Sequence, residues 1–138
     1  NNVCGYNNGG ANEVIAFCFA EVEGYSKFGS WTGTGAADGT FVFTGFRPAF
    51  VMVKRASAAG NWTIMDNTRR TFNFNNVLLY PNSNAVEAAN DGYNGSDFVS
   101  NGFKIRGGAD GVGTDVSGTG TYIYMAFAEE PFKYANAR

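Results

Sequence analysis

Short apolar segments alternate with clusters of turn-forming residues along most of the chain. The segments are rich in β-branched and aromatic residues, and the clusters between them consist of Gly, Asn, Asp, Ser and Thr. Short segments bounded by such residues are typical of β-strands. The pattern predicts strands at residues 13–21, 25–32, 40–44, 49–55, 61–66, 77–80, 97–100, 102–106 and 121–129. Their spacing favours an antiparallel β-sandwich.

Two of these segments, one near each end of the chain, resemble each other. Residues 14–21 (VIAFCFAE) and 122–129 (YIYMAFAE) align without gaps and are identical at four positions. Both are apolar on both faces, which is typical of a strand in the middle of a sheet or under a partner. Two interpretations follow. Either the segments are neighbours that close the domain, or they form an internal repeat across modules of a longer chain.

Three further patterns predict local structure. Residues 49–55 are apolar on both faces until the end, which indicates a central strand. Asn101-Gly102 separates two short strand patterns and predicts a hairpin. Residues 82–90 (NSNAVEAAN) are the one segment with a helical character, sufficient for one or two turns.

Composition agrees with one all-β domain. The chain has 138 residues, with 19 Gly, 13 Phe and 7 Tyr and only three Pro. Aromatic residues favour strands, and the many glycines suit turns. The net charge is −2 and the ten Lys and Arg residues are scattered, so nucleic acid is not expected as a partner. No apolar stretch approaches the roughly 20 residues that span a bilayer, so membrane insertion is not expected either. The start at Asn1 indicates a processed product or a fragment.

Cysteine and histidine usage restricts the possible chemistry. Cys18 lies within an apolar segment and is expected to be a buried thiol, while Cys4 lies in a polar segment. A disulfide between them is possible but not indicated. The chain contains no histidine, which excludes the usual zinc sites and every histidine-dependent triad.

A long stretch of the sequence resembles a known family. It begins at EVEGYSKFGSWTGTGAADGTFVFTGFRPAFVMVKR, continues through NWTIMDNTRR and DFVSNGFKIR, and ends with TYIYMAFAEEPFKYANAR. These motifs resemble the C-terminal domain of tail-associated structural proteins of tailed bacteriophages, over roughly residues 14–138. The first residues, NNVCGYNNGGAN, do not match that pattern. We therefore expect an N-terminal arm or linker at residues 1–12 and a sandwich domain at residues 13–138, with the arm ordering on a partner.

The resemblance implies a fold, a location and partners. The fold is a lectin-like or jelly-roll-like β-sandwich with long Gly/Asn-rich loops, located in the virion as a tail fibre or spike module. The implied partners are other virion proteins, further copies in a homo-oligomer with a trimer favoured, and a host-surface glycan. The resemblance carries no catalytic signature. Two alternatives remain open: a capsid or tail decoration (cement) protein, and a carbohydrate-active enzyme.

Six residues are candidates for ligand contact, because exposed aromatic, acidic and arginine side chains in turn-rich segments suit a glycan or an acidic partner. Trp31 is expected to be exposed beside a glycine-rich segment, whereas Trp62 alternates with Ile64 and is expected in the core. Arg69-Arg70 would bind a carboxylate through two hydrogen bonds or, in the more ordinary interpretation, lie on the surface across Phe72. The six candidates are Trp31, Asp38, Arg69, Arg70, Tyr93 and Asp110.

Several carboxylates are candidates for metal binding or catalysis. Asp110 and Asp115 have the chemistry for calcium, but their spacing fits no known calcium loop and a solvated Asp-Gly turn is the ordinary outcome. We predict neither metal nor cofactor. Glycosidases use pairs of carboxylates, and Glu21/Glu23 and Glu129/Glu130 are such pairs, but they sit at strand ends with no nucleophile and base in a motif. We therefore do not expect an enzyme.

Overall fold

The computed structural model describes residues 17–89, 94–107 and 116–130. Strands dominate these ranges, and no helix occurs in them. The strands are β1 (Ser26–Thr34), β2 (Asp38–Phe43), β3 (Pro48–Arg55), β4 (Trp62–Asp66), β5 (Val77–Leu78), β6 (Ala88–Ala89), β7 (Asn94–Val99), β8 (Gly102–Gly107) and β9 (Thr119–Ala128). The all-β class predicted from the sequence is confirmed.

The strands form two main antiparallel sheets. Sheet A has the order β1-β9-β3-β4, and sheet B has the order β2-β8-β7. The short strands β5 and β6 pair with each other, and Leu79 extends sheet A by a bridge to Ile64 on β4. The architecture is an antiparallel β-sandwich.

Aromatic rings from both sheets meet in the core. The indole of Trp31 on β1 stacks on Tyr122 of β9, with ring centroids 5.0 Å apart and planes inclined by 10°. From sheet B, Phe103 presents an edge to Trp31 at 5.7 Å and to Tyr124 at 5.4 Å. Such edge-to-face contacts add about 0.5–1.5 kcal/mol to the burial of each ring. These four rings join the two sheets.

The positions of the central strands and of one hairpin match the sequence-based expectations. β9 lies between β1 and β3, and β3 lies between β9 and β4, so both are central. β7 and β8 form the predicted hairpin, with Val99 opposite Gly102. The two-residue turn is Ser100-Asn101, one position earlier than the Asn-Gly pair had suggested, because Gly102 already belongs to β8.

Two predicted elements are wrong. The helical turn expected at residues 82–90 does not form in the part that the structure describes, where Ala88–Ala89 instead pair with β5. The strand expected at residues 13–21 is absent from residues 17–21, and Phe17 and Phe19 are 81% and 57% exposed. Residues 17–21 therefore do not pair with β9 as a neighbouring strand. Both sides of β9 are already paired, with β1 and with β3.

Cys18 also differs from expectation, because it is an exposed free thiol rather than a buried one. Cys18 is exposed because residues 17–21, which contain it, lie outside both sheets and are exposed. Cys4, the expected arm at residues 1–12 and residues 13–16 lie outside the described ranges.

Candidate functional site

The face of sheet A that points away from the core is largely apolar. Strand side chains alternate between faces, and Val51, Val53, Thr63, Met65, Tyr122, Tyr124 and Ala126 point into the core. Their neighbours along the strands therefore point outward, and they are half-buried or exposed. These neighbours include Lys54 and Asp66, and we call the apolar ones the outer face of sheet A: Phe28, Phe50, Met52, Trp62, Ile64, Ile123, Met125 and Phe127.

Strand register brings these side chains into rows. Phe28 lies opposite Met125, Met125 opposite Met52, and Met52 opposite Ile64, so one apolar row crosses all four strands. Phe127 and Phe50 form part of a second row beside it. Cross-strand neighbours of this kind are in contact distance. The outer face is therefore continuous rather than a set of scattered apolar residues.

One end of this face is partly covered by residues that precede β1. The ring of Phe19 lies 5.9 Å from that of Phe28 and 6.1 Å from that of Phe127. Tyr25 also contacts Phe127, at 5.9 Å between ring centroids. Phe19 nevertheless remains more than half exposed.

A cleft of about 510 Å³ opens where the segment before β1 meets the end of β2. Two turns shape it, at Gly24 and Gly45, whose φ angles of 73° and 86° suit glycine and strain other residues. Glu21, Lys27 and the exposed ring of Phe43 line its walls. The cleft thus combines an aromatic surface with charged hydrogen-bonding groups.

Glu21 and Lys27 form an ion pair in this cleft. Lys27 Nζ lies 2.8 Å from Glu21 Oε2, and the backbone N–H of Phe28 donates to Glu21 Oε1 at 3.2 Å. The hydrogen bond from Lys27 and that from Phe28 lower the pKa of Glu21, and the same ion pair raises the pKa of Lys27. Glu21 is therefore ionised at neutral pH.

The outer face of sheet B is charged by comparison. Asp38 accepts from Lys104 at 3.0 Å and from Arg106, whose Nε also donates to Asp97 Oδ2 at 2.6 Å. The hydrogen bond from Lys104 lowers the pKa of Asp38, and that to Asp97 raises the pKa of Arg106. Phe41, 44% exposed, stands on the same face, opposite Lys104.

The arginine pair lies beyond the end of β4. Arg69 Nε donates to Asp66 Oδ2 at 2.5 Å, and Arg69 Nη1 lies 3.1 Å from Glu87 Oε2. Partial burial would raise the pKa of Asp66, but hydrogen bonds from the backbone and side chain of Arg69 outweigh it and lower the pKa. The guanidinium of Arg70 lies 4.2 Å from the centre of the Phe72 ring. Arg70 therefore lies across Phe72, as one of the two interpretations of the sequence expected.

The four predicted contact residues that the structure describes, Trp31, Asp38, Arg69 and Arg70, do not form one site. Asp38 lies on sheet B and Arg69 follows a strand of sheet A, and both are ion-paired within the chain. Tyr93 and Asp110 lie outside the described ranges, as does Asp115.

Both tryptophan expectations are wrong. Trp31 is 7% exposed because its register places it beside Tyr122 on the core face. Trp62 is half-buried on the outer face of sheet A because its neighbours Thr63 and Met65 fill the core. The sequence signal for the outer face was the apolar character of residues 49–55 and 122–129 on both faces. No comparable signal marked the cleft, which depends on tertiary contacts between residues 21–27 and 43–45.

Residues 17–89, 94–107 and 116–130 contain no group of three or more Cys, Asp or Glu side chains placed to hold a metal ion. They also contain no helix long and apolar enough to cross a membrane.

The fold and these surfaces define an antiparallel β-sandwich with an apolar outer face and a mixed cleft at one end. The chain belongs to the family of the domain of unknown function DUF7483, whose pattern matches residues 2–131. No curated protein and no solved structure matches the chain.

Proposed function

We propose that this domain is a structural module of a tailed-bacteriophage virion, which packs against other subunits through the outer face of sheet A. The observation that carries the proposal is the continuous row of apolar side chains across all four strands of that sheet. Contiguous exposed apolar patches typically mark sites of protein interaction. The resemblance of the sequence to phage tail proteins is the reason for naming a virion.

A second copy of the chain suits this face. Sheets pack face to face at about 10 Å when both surfaces are apolar. A two-fold dimer buries the same patch on both subunits, whereas a trimer packs this face against a different surface of the next subunit. In either form, several linked copies increase the apparent affinity for a surface. A trimer is the form proposed for a fibre tip. A decoration protein would use the same face against a neighbouring capsid or tail subunit.

The first experiment places a charge on this face. Ile123 is 40% exposed and lies opposite Lys54, so replacing it does not open a cavity in the core. We expect Ile123→Glu to weaken oligomerisation by roughly 30-fold, because an interface would then bury an added charge at a cost of about 2 kcal/mol. Size-exclusion chromatography with light scattering measures the effect, with thermal unfolding as the check that the fold is kept.

Phe41→Glu is the matched control, since Phe41 is similarly exposed and also lies opposite a lysine, Lys104, but on sheet B. We expect its oligomeric state to equal that of the unchanged chain. A chain that stays monomeric at high micromolar concentration, or equal effects of both variants, would contradict assembly through sheet A.

Glycan binding is a second candidate function, and the cleft favours it. Sugar rings present C–H groups that pack on an aromatic ring and hydroxyls that bond to charged groups. Phe43 supplies an exposed ring, and Glu21 and Lys27 supply an acceptor and a donor within the same cleft. Each site would be weak, and oligomerisation would increase its apparent affinity.

Phe43→Ala tests glycan binding. We expect it to reduce binding to any recognised oligosaccharide about tenfold, because about 1.4 kcal/mol of ring contact is lost. An array of bacterial surface oligosaccharides is the probe, and Phe41→Ala is the control outside the cleft. Absence of binding by the unchanged chain would remove this candidate and leave the structural role.

The charge state of Glu21 also supports binding rather than hydrolysis. A glycosidase needs one carboxylic acid that retains its proton, and therefore a raised pKa. The pKa of Glu21 is lowered by Lys27.

A further inference from the structure

The edge strands of the two sheets differ in how far their backbone groups are paired. Along the outer edge of β4, Ile64 exchanges two backbone hydrogen bonds with Leu79, at 2.8 and 3.1 Å. The backbone N–H of Trp62 donates to Asn82 Oδ1 at 2.9 Å. The edge of β4 is therefore engaged within the chain.

The outer edge of β7 is engaged in a similar way. Ser96 exchanges two backbone hydrogen bonds with Asn75, each 2.9 Å long. The side chain of Asn73 donates to the carbonyl oxygen of Phe98 at 3.0 Å and accepts from its N–H at 2.9 Å. Asn73 thus makes the two hydrogen bonds that a neighbouring strand would make.

The edge of β1 is interrupted at two points. The backbone N–H of Phe28 donates to Glu21 Oε1 at 3.2 Å. The hydroxyl of Thr40 donates to the carbonyl oxygen of Thr32 at 2.7 Å. These contacts lie on either side of Ser30 and hinder pairing with a further strand.

The outer edge of β2 lacks contacts of this kind. The backbone N–H of Thr44 donates to the carbonyl oxygen of Asn101 at 3.0 Å, at the end of the pairing with β8. By the alternation of an antiparallel pair, Val42 also bonds to β8, and the N–H and C=O groups of Phe41 and Phe43 point away from it. Within the described ranges, no backbone or side-chain group bonds to them on that side.

The side chains along this edge are apolar and exposed. The rings of Phe41 and Phe43 are 44% and 62% exposed, and both lie on the outer face of sheet B. An exposed apolar edge strand is a surface to which an extended peptide adds, because its backbone groups need partners and its side chains offer apolar contact.

The cleft described above continues this edge. Residues 43–45 form one wall of the cleft, and residues between 21 and 27 form the other. Two carboxylates, those of Glu21 and Glu23, and one ammonium group, that of Lys27, line it. The cleft therefore carries a net negative charge and favours a basic side chain.

We infer that the edge of β2 binds an extended segment of another polypeptide, which adds to sheet B as an antiparallel strand. Phe41 and Phe43 each exchange two backbone hydrogen bonds with this segment, and two of its apolar side chains pack against the two exposed rings. A basic residue at its N-terminal end lies in the cleft, because an antiparallel strand begins where β2 ends. The inference is independent of the proposed function, which uses sheet A.

A second copy of this chain is a less favoured occupant. If two β2 strands paired about Val42, Asp38 of one copy would lie beside the cleft of the other. That arrangement brings an acidic side chain, rather than a basic one, to a cleft that is already negative.

The probe for the test is the hexapeptide KTVTVT with acetylated and amidated ends. In the inferred register its lysine lies opposite Gly45 and its valines lie opposite Phe43 and Phe41. We expect saturable binding in calorimetric titration of the full chain, with slower amide exchange at Phe41 and Phe43 when the peptide is bound. ETVTVT, with glutamate in place of lysine, should bind roughly fivefold more weakly.

Methylation of the peptide backbone separates strand addition from side-chain contact. N-methyl groups on both valines remove the N–H groups that donate to the carbonyl oxygens of Phe43 and Phe41. We expect them to weaken binding roughly 30-fold, since each hydrogen bond contributes about fivefold. The matched control carries the same two methyl groups on the first two threonines, whose N–H groups point away from β2, and should bind like KTVTVT.

Variants of the protein test the same hydrogen bonds from the other side. Phe41→Pro removes a backbone donor that β8 does not use, and proline is tolerated at such edge positions. We expect it to bind KTVTVT roughly fivefold more weakly than Phe41→Ala, which keeps the donor and loses the same ring. Thermal unfolding checks that both variants fold. Ile123→Glu should bind the peptide normally, which separates this test from that of assembly through sheet A.

Three results would overturn the inference. The first is the absence of KTVTVT binding at about 1 mM peptide, which is the weakest affinity that strand addition would give. The second is equal binding of the two methylated peptides. The third is protection of the Phe41 and Phe43 amides that rises with protein concentration in the chain alone, because a second copy would then fill the edge.

Discussion

Phe103→Ala is expected to lower the free energy of unfolding by about 3–5 kcal/mol, which is the usual cost of removing a buried phenylalanine ring. Phe103 is fully buried on β8 and is the ring through which sheet B contacts Trp31 and Tyr124 of sheet A. Its removal leaves a cavity between the sheets that the stacked rings of sheet A cannot fill. Urea unfolding followed by tryptophan fluorescence measures the loss.

Phe43→Ala is the control for this prediction. Phe43 lies on the neighbouring strand β2 opposite Gly102, but its ring is 62% exposed. We expect a change within about 0.5 kcal/mol, as for most surface substitutions. If the two variants lost similar stability, the sheets would not be joined by the aromatic cluster.

Gly33→Ala is expected to destabilise the fold by about 3 kcal/mol or more, although it adds a single methyl group. A Cβ on Gly33 would overlap the backbone oxygen of Gly118 and lie 2.8 Å from Cε2 of Tyr122. A backbone carbonyl cannot move aside as a side chain can, so β1 would have to separate from the start of β9. Loss of cooperative thermal unfolding would report this.

Gly29→Ala on the same strand provides the comparison. A Cβ there would meet the ring of Tyr124 at 3.0 Å, and an aromatic side chain can shift by the few tenths of an ångström required. We expect a cost of about 1 kcal/mol, which is well below that at Gly33. Equal costs at both glycines would show that the backbone near Gly118 yields more easily than its position indicates.

Local pattern was sufficient to predict most strands and the central position of two of them. Residues 49–55 and 121–129 are apolar on both faces, and both became central strands because such segments must be covered on two sides. The same reasoning failed for residues 17–21, because both sides of β9 are already paired, with β1 and with β3, and no place remains beside it for another central strand.

Side-chain direction was harder to predict than strand position. A one-residue change of phase exchanges the two faces of a strand. In β4 the core positions are Thr63 and Met65, so the larger Trp62 points outward, against the rule that the bulkiest apolar residue is buried. The cleft and the ion pairs Asp38–Arg106 and Arg69–Glu87 join residues that are distant in sequence, and their proximity depends on how the chain folds.

The contact between Glu21 and β1 also bears on solubility. β1 is the last strand of sheet A, and an uncovered edge strand offers free N–H groups to which a foreign strand can add, the first step of aggregation. The carboxylate of Glu21 accepts a hydrogen bond from the backbone N–H of Phe28 on that edge, and its partner Lys27 adds a charge there. The residues that lead into the sandwich thereby hinder the addition of a foreign strand at this edge of sheet A.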